Sequence, residues 1–528
     1  MTTARSGPRL GWVVLLATLA VALPFIGIQN LPFTDHPNHM ARFHILDTFA
    51  DSPALQSLYT IKGGFQPYWG MGGFMALVSP WLGVEQAGQL FAVAAVLMPV
   101  IGVAALNRTA TGRANWTVLA AVIVAFSGMA AWGFLNFLFT LGFALMALAL
   151  WIRTDRSDAR WRLPLFAVVA LAITAMHMIS AAFLGLLVGL WELGGVWERR
   201  RIQKGDVLRF VQIGFTFLPA AALVLLQRAD DFGYTGTDYG GLPERVGAYQ
   251  SPFSFLGSIH WAVDWHFMIF LALAGGFVFV RSRLQTKTGH SGVELDNRLV
   301  FVAVGVLGVS FLIPFNLVGV AYVNTRFPFV AALIFIASIR LEPVSVPKAA
   351  VLGMASLVAA KVGLVGFQLQ SFDTQMRELR AQSDAIARGS RILLVIDDNH
   401  APAKSPSHVR TIHLTHQLGY LVVERDILFP YMFSMFDVGI RPEHAAYTQP
   451  YGLAESVDRI DTENARNYSK HWNRDFDYVV VMHPEDPDTV ALPGTQLAAS
   501  GSWFQILTTD GSGAKSERVA VFGGVGKG

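Results

Sequence analysis

Apolar runs long enough to cross a bilayer dominate this chain and limit what it can fold into. A membrane-spanning helix needs about 20 mostly apolar residues, fewer when it packs inside a bundle. Such runs occupy residues 10–30, 86–106, 116–134, 136–152, 163–177, 178–197, 207–226, 262–280, 299–321, 327–340 and 346–368. Hydrophobic residues make up 53% of the 528 and charged ones only 15%, and the charges cluster between the runs. This composition predicts a polytopic α-helical membrane protein with a soluble part. Arg5 and Arg9 precede the first run as they would in a signal peptide. No small-residue cleavage site follows, so a retained signal anchor is expected.

The segment 67–82 is also apolar, but it is short and contains Gly70, Gly72, Gly73 and Pro80. Basic residues decide its placement. Let Arg5 and Arg9 lie inside and 67–82 lie along the membrane surface. The connections carrying Arg108 and Arg113, Arg153 and Arg162, Arg199 and Lys204, Arg281 and Lys287, and Arg340 and Lys348 then all face the cytoplasm. That is the positive-inside pattern. If 67–82 crosses, everything from Arg108 onward inverts. The expectation is therefore roughly eleven spans plus juxtamembrane helices, with the C-terminal region outside.

This topology collects the unusual polar residues on the exterior face. The stretch 34–46 reads Thr-Asp-His-Pro-Asn-His-Met-Ala-Arg-Phe-His-Ile-Leu and holds one carboxylate, three imidazoles and one guanidinium. Pro37 suits the first turn of a helix, which puts Asp35 and His36 at its start, with His39 and Arg42 following at i and i+3. One reading is a surface helix with a polar side. The other is a catalytic first loop, where an acid, imidazoles and an Arg bind an anion and move a proton.

His177 falls in the turn between two spans, either meeting water or aimed into a cavity beside Asp35. Arg326 heads a span after the exterior turn Tyr322-Val-Asn-Thr-Arg326. An Arg there either snorkels to the interface or binds phosphate, whose oxygens match its fork. Tyr322 suits an aromatic belt, as do Trp132, Trp261 and Trp265.

From residue 372 onward no run is long enough to span. The segment 373–387 looks helical, and 391–396, 420–424, 477–482 and 503–507 read as strands. Helical or loop-rich stretches between them predict a small α/β domain with a mainly parallel sheet. The tail 523–528 has the composition of a disordered end. The domains expected are 1–371, a transmembrane domain with its first exterior loop at 31–85, and 372–528, an exterior soluble domain.

There are no cysteines, which excludes disulfides, thiol nucleophiles and Cys-ligated zinc. The net charge of +3 is too small to suggest nucleic acid. No P-loop, dinucleotide fingerprint, HExxH or Gly-x-Ser-x-Gly motif occurs. Asp35, His36, His39 and His44 are the residues that could ligate a metal. No cofactor is required, and a divalent metal is left open. Asp397, Asp398 and His400 form a second polar cluster at a strand end, where either a ligand or a plain turn fits.

With these residues in view, the chain resembles the GT-C superfamily of integral-membrane glycosyltransferases, which includes the protein mannosyltransferases and the aminoarabinose transferase of lipid A. An acid, Asp35, follows the first span. Pro67-Tyr68-Trp69 opens a juxtamembrane helix that ends in Leu82-Gly83-Val84-Glu85. Many spans with short exterior turns come next, and a soluble domain closes the chain. Two positions depart from the pattern. The usual acid pair is Asp35-His36 here, and Gln89 stands near the place of an Arg.

The resemblance implies a sugar on a polyprenyl phosphate as donor, attacked with inversion at the exterior membrane face by a hydroxyl of a glycan, lipid or protein acceptor. It implies Asp35 as base, with His36 beside it and His39 and His177 orienting the base or the leaving group. It implies Arg42 and Arg326 as phosphate partners, with Tyr322 alongside. It also implies a bacterial inner or plasma membrane, with the C-terminal domain in the periplasm. A transporter of lipid-linked saccharide and a non-catalytic membrane-anchored binding protein are the rival readings. Nearly charge-free span interiors, with Glu192 and Lys361 toward ends, favour surface chemistry over passage.

Overall fold

The computed structural model describes residues 10–63, 68–112, 115–154, 161–225, 236–256, 269, 273–277, 280–281, 293–317, 320–341, 348–397, 411–432, 437–448 and 454–509. Most of the expected span 262–280 lies outside the described residues. So do the termini with Arg5, Arg9 and 523–528, and with them Pro67, Arg113, Trp261, Trp265, Lys287, Asp398 and His400. The chain divides into two compact units. One is Met1–Gly27 with Phe65–Phe367, and the other is Ile28–Gly64 with Gln368–Gly528.

The first unit is helical. Val84–Thr111, Leu135–Thr154, Met178–Arg199 and Lys204–Leu225 are long and apolar enough to cross a membrane, and so is the helix beginning at Lys348. Shorter apolar helices lie at Leu10–Phe25, Trp116–Ala131, Arg162–Met176, Asn297–Ser310 and Arg326–Ser338. These ten stand where spans are expected. The Val84–Thr111 and Leu135–Thr154 helices approach closely because Gly102 has no side chain. A Cβ there would stand 2.9 Å from the Gly142 carbonyl oxygen. Lys204–Leu225 leaves Val207, Leu208, Phe215 and Leu218 exposed, a face suited to lipid.

Three of these segments differ from the expected spans. The run 116–134 is interrupted at Phe126 and Ser127, where the Ser127 hydroxyl accepts from the Met129 N–H and caps a new helical turn, Gly128–Ala131. The run 299–321 is helical only to Ser310. Beyond it, Asn316–Leu317 pairs with Thr237–Asp238, and Tyr322 takes a left-handed φ of +56°. The last span does not stop near 368, because Lys348–Ala381 is one continuous helix of 34 residues. The segment 67–82 forms the helix Trp69–Leu82, whose 14 residues reach only about 21 Å.

The second unit is built on a five-stranded sheet in the order Thr495–Ser500, Phe504–Thr509, Tyr478–Met482, Ile392–Ile396, Glu455–Ser456. Ile392–Ile396 lies between Tyr478–Met482 and Glu455–Ser456, parallel to both, and the remaining two pairings, on the far side of Tyr478–Met482, are antiparallel. The sheet is therefore mixed where a mainly parallel one was expected. Its extra members are the hairpin Thr495–Ser500 and Phe504–Thr509. Ile392–Ile396 and Tyr478–Met482 are buried at every position, which explains their unbroken apolar runs.

The expected strand at 420–424 is a helix, Gly419–Arg425. Its Val-Val pair suggests a strand, but tertiary packing decides: Gly419, Tyr420, Leu421 and Val422 form a buried helical turn. Glu424, on the outer side, pairs with Arg380.

The grouping of 28–64 with the C-terminal residues also differs from the expected boundary at 371. Specific bonds cause it. The Asp373 carboxylate accepts the backbone N–H of Gln29 and of Asn30, at 2.9 and 2.7 Å. Tyr59–Ile61 pairs antiparallel with Val438–Ile440. Arg42 clasps Asp437 with two donors.

Candidate functional site

In the second unit, Pro37 sits in the first turn of the helix His36–Thr48 and Asp35 is its N-cap residue. Capping needs a non-helical backbone that swings the side chain onto the free N–H groups. Asp35 is instead helical (φ −84°, ψ −14°), and its side chain makes no capping bond. One carboxylate oxygen lies 3.4 Å from His416 Nδ1, and the side chain keeps 20% of its surface exposed. This acid lies beside an imidazole and is still accessible.

The surroundings fix that position. Thr34 Oγ1 is 2.5 Å from His413 Nδ1. Tyr420 Oη accepts the Leu31 N–H at 2.7 Å and donates to the Leu31 carbonyl at 3.1 Å. Its remaining lone pair faces His36 Nδ1 at 3.2 Å. With the phenol proton on the Leu31 carbonyl, His36 Nδ1 is placed to donate to Tyr420. Gly419 lets the two helices meet, since a Cβ there would stand 2.5 Å from the Pro37 carbonyl oxygen. Ahead of Asp35, Arg380 binds the Asn30 side chain at 2.8 Å and Arg377 binds Asp373 at 2.7 Å.

His39 is buried, and burial pushes its pKa down to about 3, helped by Arg42, His36 and His416. It is a neutral ring at ordinary pH, able to orient a neighbour but not to supply positive charge. Arg42 faces Asp437, with Nε and Nη2 at 2.5 and 2.6 Å from the two carboxylate oxygens, and it lies 4.8 Å from the Phe43 ring. That bidentate pair is a reason for Arg42 to be present without any phosphate. His44 turns to Asp426 at 2.9 Å. Burial raises the Asp426 carboxyl, but bonds from His44 and Ser52 and the charge of Arg388 bring it below its usual range. Among the described residues no three such side chains converge in a way that could hold a metal.

The first unit holds His177, Tyr322 and Arg326. Arg326 opens the helix Arg326–Ser338 and is buried. Its guanidinium lies 4.7 and 5.2 Å from the Phe134 and Phe137 rings, with Nη2 donating to the Ala321 carbonyl at 3.4 Å. His177 caps the helix Met178–Arg199, its Nδ1 accepting the Ser180 N–H at 3.3 Å. The His177 ring meets the same Phe137 at 5.7 Å and Tyr68 at 5.1 Å. Tyr322 stacks 4.2 Å from Trp132. A cation at a helix N-terminus is opposed by the helix dipole, and a bound anion would satisfy both.

The chain is similar to ArnT. That likeness is to the ArnT crystal structure from Cupriavidus metallidurans bound to undecaprenyl phosphate. The TM-score is 0.48 at 14% identity, over 95% of this chain and 98% of that one. Its apo crystal structure gives 0.47 at 14% identity with the same coverage. No protein-family model matches the chain, and no curated protein does.

The structure thus brings Asp35, His36, His39 and Arg42 together within the second unit, and His177, Tyr322 and Arg326 within the first. The sequence reading missed His413, His416 and Tyr420. The spacing His413-Leu-Thr-His416 was visible, but nothing local tied it to an acid almost 380 residues earlier.

Proposed function

We propose that this chain is a membrane glycosyltransferase that moves a sugar from a polyprenyl-phosphate donor to an acceptor hydroxyl, with inversion. In this reading the chain has about eleven spans. The Trp69–Leu82 helix lies along the membrane, and the sheet-bearing unit is exterior, in the periplasm of a bacterial inner membrane. Asp35 carries the proposal. It is a carboxylate just after the first span whose side chain neither caps its helix nor is fully buried, with an imidazole 3.4 Å away.

Asp35 takes the proton of the acceptor hydroxyl as that oxygen attacks the anomeric carbon. The bond from that carbon to the phosphate oxygen breaks, and the electron pair leaves with polyprenyl phosphate. Arg326, at a helix N-terminus, stabilises the charge on the leaving phosphate. His416 orients Asp35, and His36 and neutral His39 order the helix start. The phosphate role expected of Arg42 is left to Arg326, because Asp437 occupies the Arg42 fork.

The broken segment at Phe126 and Ser127 is a feature shared with transporters. One assay separates the two readings. Purified protein in vesicles is given polyprenyl-phosphate sugar with and without a hydroxyl acceptor, and free polyprenyl phosphate is measured. Acceptor-dependent release supports transfer. Movement of intact donor across the bilayer without release would support transport instead.

A further inference from the structure

A cavity of about 250 Å³ lies in the first unit between the helix Leu242–Gln250 and the end of the helix Asn297–Ser310. Leu242, Val246, Phe311 and Ile313 give it apolar walls. Asn324 and Arg245, two of its four polar lining residues, break this pattern. Asn324 lines the cavity and is 96% buried, and among the described residues its side-chain oxygen has no hydrogen-bond partner. Native proteins rarely leave such an acceptor unsatisfied, and the natural remedy is a ligand donor or an ordered water.

The second group is Arg245, half-buried between the exposed Leu242 and Val246. Its Nε donates to the Tyr239 carbonyl at 3.2 Å, and its guanidinium lies 5.7 Å from the Tyr239 ring. Among the described residues no carboxylate pairs with it. The Tyr249 and Ser310 hydroxyls also line the cavity; Ser310 donates to the Leu307 carbonyl at 2.6 Å and Tyr249 to Ser310 at 2.8 Å, so neither hydroxyl proton is left for an anion. A guanidinium at the rim with no carboxylate partner among the described residues selects an anion, the walls select hydrocarbon, and the Asn324 oxygen selects a donor such as a hydroxyl.

We propose that this cavity binds an anionic amphiphile whose chain carries a hydroxyl. The carboxylate or phosphate sits at Arg245, the hydrocarbon lies between Val246 and Phe311, and the hydroxyl donates to Asn324 Oδ1. The site does not depend on sugar transfer.

The test uses the full chain in lipid nanodiscs, with empty nanodiscs as background. Radiolabelled decanoate is bound and then displaced by unlabelled 10-hydroxydecanoate, decanoate, decanol or inorganic phosphate. The hydroxy acid should displace about tenfold better than decanoate, as expected for one hydrogen bond to a buried acceptor. Decanol should displace more weakly than decanoate, and phosphate alone should not displace. Asn324→Leu should abolish the preference for the hydroxyl, and Arg245→Gln the preference for the acid over the alcohol. Val246→Trp alters an exposed rim residue, so it should fill the cavity and remove binding with an unchanged circular dichroism spectrum. Equal displacement by the two acids on the native protein overturns the proposal, as does the absence of saturable binding above background. Displacement by phosphate alone would overturn the hydrocarbon part and leave a bare anion site.

Discussion

Arg42 and Arg326 carry the same guanidinium in opposite settings. Arg42 is committed to Asp437 through two bonds, and Arg326 lies against two aromatic rings at a helix N-terminus. Arg42→Ala should therefore lower stability by about 1–2 kcal/mol and leave the donor KM unchanged. Arg326→Ala should weaken donor binding roughly 10- to 100-fold, and Arg326→Lys less, since Lys keeps the charge and loses the fork. Melting curves and donor titrations separate the two; a donor KM indifferent to Arg326 would make it a packing residue. His39 allows a test with a defined sign. Its folded pKa of about 3 lies below the usual 6.5, so protons bind the unfolded chain preferentially. Its contribution to stability is intact above about pH 6.5 and is lost as pH falls toward 3. Between pH 7 and pH 5 that loss is about 2 kcal/mol. His39→Gln should flatten the pH dependence of stability over this interval. At this scale the sequence singled out candidates, since Asp35 and Arg326 stand out by position. It could not show partners such as Asp437 and His416, because those contacts join residues nearly 400 positions apart.

At the level of elements, the apolar runs marked the ten apolar helices of span type among the described residues, because burial in lipid or bundle demands continuous hydrophobicity. Local pattern misled where tertiary packing decided. The 420–424 segment has strand-like composition and forms a helix, because Gly419 seats it against Pro37 and its first turn, Gly419 to Val422, is buried all round. The break at Phe126 and the irregular stretch after Ser310 were hidden for the same reason: apolar composition sets burial, not hydrogen-bond continuity. The seating of Gly419 is testable. Gly419→Ala adds a methyl against a backbone carbonyl and should cost about 1–3 kcal/mol, reducing turnover through the displaced start of the His36–Thr48 helix. An alanine variant with native melting temperature and turnover would show that the two helices can separate freely.

For the whole molecule, charge placement and span count set the topology, and labelling can read it. The native chain has no cysteine, so single Cys residues report directly. Gln250→Cys and Ser502→Cys should react with an impermeant thiol reagent from outside, and Gln203→Cys only after the membrane is opened. All three positions are exposed. Outside labelling at Gln203 would reverse the orientation and place Asp35 on the cytoplasmic face. The division of the chain, with 28–64 grouped with the C-terminal residues, was not legible, because hydropathy marks where a chain leaves the membrane and not what it then packs on. The central claim is that Asp35 is the base of a glycosyl transfer. Its most direct test compares donor affinity and transfer rate of purified native protein and Asp35→Asn, with circular dichroism confirming the fold. The account predicts donor binding close to native and a transfer rate lower by about 10²–10⁴-fold, the usual cost of losing a general base. A folded Asp35→Asn protein that transfers sugar at the native rate would contradict it.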